Sequence, residues 1–145
     1  MRSHLLRTGA ACLAAGAALL LTGTPASAAG VPWSVGHGTA TAQGTRGVQQ
    51  DPGDFLPSLV ILGELSNTGD GCSSVWFQFN HDLAPGPAFR HATQCGPGTT
   101  PIEFRTAYRP TTTGSAFVCE GTTREKCGER RTVTSWPVQQ GVTTD

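Results

Sequence analysis

Four cysteines fall between residues 72 and 127, at positions 72, 95, 119 and 127, and their spacing constrains the fold more than any other feature. The midpoint between Cys72 and Cys95 lies between Leu83 and Ala84, inside the turn-forming segment HDLAPGP. If the flanking strands pair antiparallel about that turn, Cys72 faces Cys95 directly. Facing residues sit roughly 4.5–5.5 Å apart at Cα, a span that a disulfide bridges. The same register pairs Ser74 with Thr93, Trp76 with His91 and Gln78 with Phe89, and a bulge would shift it by one. Val75, Phe77 and Phe79 then point to the other face, taken as the core. Cys119 and Cys127 have their midpoint at Thr123, in the polar run TTREK, which reads as a second hairpin. Four cysteines permit three connectivities; the midpoints favour 72–95 with 119–127.

Paired cysteines imply an oxidising compartment, and the first residues agree. Arg2 and Arg7 precede an apolar run from about Gly9 to Leu21, followed by Pro25 and the small residues Ala26-Ser27-Ala28. This is the pattern of a secretory signal peptide over residues 1–28, cleaved after Ala28. The run is short for a membrane span. Cys12 sits inside it, with Gly9 three positions before, which is not the context of a lipid-anchored cysteine. The exported chain is then one domain of 117 residues, 29–145, soluble and without a membrane span. A chain of that size buries roughly two thirds of its unfolded surface.

Removing Arg2 and Arg7 leaves eight Lys plus Arg against ten Asp plus Glu. A nucleic-acid binder is usually markedly basic, so nucleic acid is a poor partner for this chain. The preference for Arg over Lys, with abundant Ala and Gly, fits a GC-rich bacterial source.

No window repeats apolar residues at helical spacing. Short β-branched and aromatic runs recur instead: Trp33–Ala42, Pro57–Ser66, Cys72–Asn80, Ala88–Cys95, Ile102–Arg109, Gly114–Gly121 and Arg130–Trp136. Seven short strands with turns at this spacing predict a single-domain, all-β antiparallel sandwich carrying two disulfides. Ile102, Phe104 and Tyr108 alternate with Glu103, Arg105 and Arg109, giving one dry and one wet face. Leu59–Leu62 is continuously apolar and predicts a central strand covered on both faces. The stretch 44–55 reads as a flexible link and 138–145 as a mobile tail.

Catalytic constellations are weak. His81, Asp82 and His91 would have to converge to form a metal or acid–base site, yet the hairpin register spreads them apart, and no ligand spacing is present. His91 is expected against Trp76, and His81 in the turn. Ser73 and Ser74 lack a nucleophile-elbow pattern, and oxidised cysteines cannot attack. The carboxylates of Glu64, Asp70, Asp82, Glu103, Glu120 and Glu125 read as solvated or capping groups. Gly69-Asp70-Gly71 and Gly96-Pro97-Gly98 read as turns, not phosphate loops, since no helix follows. Trp33, Trp76 and Trp136 are platform candidates, Trp76 the best of them, and Arg90, Arg105 and Arg109 could share a sheet face.

The expectation is a non-catalytic extracellular or cell-surface interaction module, with no cofactor and no metal, whose partner is an extracellular protein or glycan. Trp76, His91, Arg124 and Lys126 are its candidate contact residues. One alternative is a secreted protease inhibitor presenting the Cys119–Cys127 loop, with Arg124 or Lys126 suited to a trypsin-like pocket. A further alternative is a small hydrolase built on His81, Asp82 and His91.

Overall fold

The computed structural model describes residues 30–82 and 84–134. They form two four-stranded antiparallel sheets packed face to face, with no helix. The first sheet has the order β1 (Val31–His37), β2 (Ala40–Gln49), β3 (Ser58–Asn67), β6 (Gly98–Ala107). The second has the order β5 (Ala84–Cys95), β4 (Cys72–His81), β7 (Thr113–Glu120), β8 (Arg131–Thr132). The expected all-β sandwich is the observed fold. The 1–28 leader, Cys12, Trp136 and the 138–145 tail lie outside the described residues.

Period-two alternation builds the core. Trp33, Val35, Leu59, Ile61, Leu65 and Ile102 point inward from the first sheet, and Val75, Phe77, Phe79, Ala116 and Val118 from the second. Phe77, Phe79, Phe89 and Phe104 form a ring cluster at its centre, with centroids 5.3–6.3 Å apart. Such aromatic packing adds about 0.5–1.5 kcal/mol per pair beyond area burial.

Three expectations need correction. Trp33–Ala42 is not one strand: the chain reverses at Gly38, whose φ is +57°, and β1 pairs with β2. The apolar–polar alternation continues through that turn and hides it. The stretch 44–55 is half strand, because Gly44–Gln49 continue β2 and only the remainder is a connection. Its inward positions carry Ala, Gly and Arg rather than branched apolar residues, so the strand pattern is faint. Leu59–Leu62 does lie in a central strand, but one face is wet: Leu59 and Ile61 are buried while Leu62 is 46 % exposed.

Candidate functional site

Both disulfides form as the spacing predicts, Cys72–Cys95 and Cys119–Cys127. Cys72 faces Cys95 and Ser74 faces Thr93. Beyond Val75 a bulge intervenes, so Trp76 faces Arg90 rather than His91, and Gln78 faces Ala88 rather than Phe89. The extra residue turns His91 away from Trp76 and into the aromatic cluster, where its ring meets Phe77 and Phe104 edge-on, each at 5.7 Å. Burial there lowers the His91 pKa by desolvating the charged ring, and a backbone hydrogen bond to Glu103 pulls weakly the other way.

His81 and Asp82 are exposed at the far end of the hairpin. Asp82 adopts a positive φ of 49° and is held by Arg109 at 3.2 Å and by the Thr111 hydroxyl at 2.7 Å. The structure therefore does not bring His81, Asp82 and His91 together. Among the described residues no three His, Cys, Asp or Glu side chains converge to hold a metal ion. The buried Ser74 is structural: its hydroxyl donates to the Gly121 carbonyl at 2.7 Å and accepts from the Trp76 indole at 2.9 Å.

The segment 121–130 folds back over the outer face of the second sheet. Trp76 stacks on Phe117 with ring planes 10° apart. Arg124 lies over Trp76 at 5.6 Å, and Arg130 over Phe117 at 4.6 Å while also bonding Gln78. Arg90 donates to the Thr122 carbonyl at 3.0 Å. Trp76 is thus roofed by an arginine and is no open platform. The backbone of Lys126 is bound into the stapled turn, its carbonyl accepting from the Glu120 N–H at 2.8 Å, while its exposed ammonium lies 3.8 Å from the Glu120 carboxylate. Arg124 lies down on its own sheet, whereas the Lys126 side chain is largely exposed.

Arg90, Arg105 and Arg109 do not share a face. Arg90 belongs to β5 of the second sheet and Arg105 to β6 of the first, while Arg109 follows β6. Arg105 pairs with Asp51 and donates to the Gln49 side chain at 3.2 Å, and these bonds pin the β2–β3 connection.

That connection carries the surface feature sequence reasoning missed. Asp51 accepts from Gln49 at 2.8 Å, Gln50 donates to the Asp54 carbonyl at 2.6 Å, and the Asp54 N–H donates to the Asp51 carbonyl at 3.2 Å. On the other side the Pro57 carbonyl accepts from the Tyr108 N–H at 2.8 Å. Between these anchors Phe55 stands wholly in solvent, at 102 % relative exposure, beside the exposed Leu56. Val48, at the end of β2, is exposed as well. The one available hint was an aromatic–leucine pair inside a polar, turn-rich segment.

No family model matches the chain, and no curated protein or solved structure matches it either.

Proposed function

We propose that the chain is a non-catalytic extracellular interaction module that docks a protein partner through the β2–β3 loop. The observation that carries this reading is Phe55. Fully burying a Phe or Leu side chain is worth about 1.5–3 kcal/mol, and the isolated chain forgoes this for Phe55. The loop is not slack: an ion pair and several hydrogen bonds fix the segment before it. A rigidly displayed aromatic group beside a leucine has the character of an interface anchor that fills an apolar pocket on its partner. The two disulfides fit an oxidising, extracellular setting.

The test places a photo-crosslinking amino acid at position 55 in the exporting cell, with a control at Thr99, which lies on another part of the surface. A discrete adduct at 55 and none at 99 is expected, and Phe55→Asp should weaken binding of the purified partner by tenfold or more, about 1.4 kcal/mol. Identical patterns at both positions, or undiminished binding by Phe55→Asp, would overturn the reading.

A further inference from the structure

The outer face of the first sheet carries a second feature, a shallow, open hollow of about 720 Å³ with a polar rim. Its floor is bare backbone. Gly44 and Gly63 face one another across β2 and β3, and a β-carbon on either would strike the opposite strand's main chain. Beneath them the Trp33 indole N–H reaches the carbonyls of Thr45 and Leu62, both at 3.3 Å, which fixes the ring under the floor.

The rim is polar and uncommitted. Ser34, Gln43, Thr45 and Glu64 line it, and among the described residues their side chains make no hydrogen bond or ion pair within the chain. The contrast with the other described glutamines is sharp. Gln49, Gln50, Gln78 and Gln94 all use their side chains internally, and Gln43 does not. Pro32 adds an apolar wall. Among the described residues no lysine, arginine or histidine lines this hollow, and Glu64 is the one charged group.

From this chemistry we infer a binding site for a neutral, linear polysaccharide. Hydroxyls, an amide and a carboxylate match the alternating donors and acceptors of sugar hydroxyl groups. Pro32 and the exposed Leu62 offer apolar contact to ring C–H faces. The lone carboxylate repels polyanions. The rim spans three strands and two side-chain rows, about 10 by 7 Å from ordinary sheet spacings. A second hollow of about 380 Å³ continues from Thr45 past Val60 and Leu62, so the surface suits a chain of units rather than a single sugar. The first hollow shares no residue with the Phe55 loop, whereas the second reaches Val48 and Gln49 at the end of β2, where that loop begins.

The test is an amide-shift titration of the 15N-labelled protein, produced by export so that both disulfides form. The probes are neutral hexasaccharides of glucose, xylose and N-acetylglucosamine, with heparin and hexa-arginine as charged comparisons. Saturable shifts are expected at Ser34, Gln43–Thr45 and Gly63–Glu64 with at least one neutral chain, tighter for the hexamer than for its dimer. Gln43→Ala combined with Glu64→Ala should weaken binding about tenfold or more while leaving the remaining spectrum in place. No shifts with any neutral probe up to about 10 mM, shifts centred elsewhere, or an unchanged affinity in the double variant would overturn the site. Shifts with hexa-arginine alone would overturn it in favour of a basic peptide.

Discussion

Gly44 faces Gly63 across the β2–β3 ladder, and neither position has room for a β-carbon. A methyl group at 44 would land on the Leu62 carbonyl, and one at 63 on the Gln43 carbonyl. Both obstacles are main chain and cannot swing aside. Gly44→Ala should therefore cost at least about 3 kcal/mol, the upper end for overpacking a tight site. Gly47, three residues along the same strand, has open space around its missing side chain. Gly47→Ala should stabilise by about 0.4–1 kcal/mol, because it restricts the unfolded chain without strain in the folded one. Thermal melts of the two variants, read side by side, check both signs.

His91 predicts an acid sensitivity. Its folded pKa is lowered, chiefly by desolvation, so the unfolded chain binds the proton more readily than the folded one. Stability from the neutral ring is fully present above the ordinary histidine value of about 6.5 and falls as pH drops through that value toward the lowered one. Chemical denaturation at pH 7.5 and pH 5 should show a smaller loss of stability on acidification in His91→Phe than in wild type. A Phe at 91 also suits the rings of Phe77 and Phe104. Equal losses in the two proteins would show that His91 takes no part.

The behaviour of His91 also marks where the sequence was legible and where it was not. Symmetric cysteine midpoints about two turns were enough to give both disulfides, because a hairpin fixes facing pairs by counting. The same counting failed beyond Val75, since one bulge residue shifts every later pair and no residue type announces it. Alternation placed Ile102, Phe104 and Tyr108 correctly, as their neighbours are charged. It failed at β2, where Ala, Gly and Arg fill inward positions usually held by branched side chains, and at Leu62, where an apolar residue lies on the wet face. Phe55 was invisible for a related reason: sequence shows that a residue is apolar, not that its loop is pinned so as to hold it in water.

Arg46 occupies one of those inward positions, only 6 % exposed and, among the described residues, without a carboxylate partner. Its guanidinium donates to the Pro32 carbonyl at 3.4 Å and the Thr132 carbonyl at 3.3 Å, tying β1 to β8 of the opposite sheet, while Nε has no acceptor among the described residues. Burial disfavours its charge and lowers its pKa. Two opposing effects can be separated by substitution. Arg46→Ala removes the tie and leaves a void, at an expected cost of about 2–4 kcal/mol. Arg46→Met keeps much of the volume and removes the desolvated charge, so it should cost less than about 1.5 kcal/mol. Urea midpoints rank the two; a larger loss for Met than for Ala would show that the bonds, not the packing, hold the sheets together.

The two disulfides should differ both in contribution and in ease of reduction. By loop entropy the 23-residue separation of Cys72–Cys95 contributes about 3.5 kcal/mol and the 8-residue separation of Cys119–Cys127 about 2.5 kcal/mol. Cys95 is exposed at the end of β5 and its partner half-buried, whereas Cys119 is fully buried and Cys127 half-buried. A thiolate must reach a sulfur to exchange with it, so mild reductant should open 72–95 first. Timed alkylation followed by peptide mass mapping reads the order. Opening 72–95 frees the β4–β5 hairpin at its base, next to the Ser74 hydroxyl that ties β4 to Gly121. The partly reduced species should therefore melt well below the intact protein yet keep the 119–127 bridge. Simultaneous loss of both bridges would instead mean that exchange proceeds through global unfolding, with local access to Cys95 irrelevant.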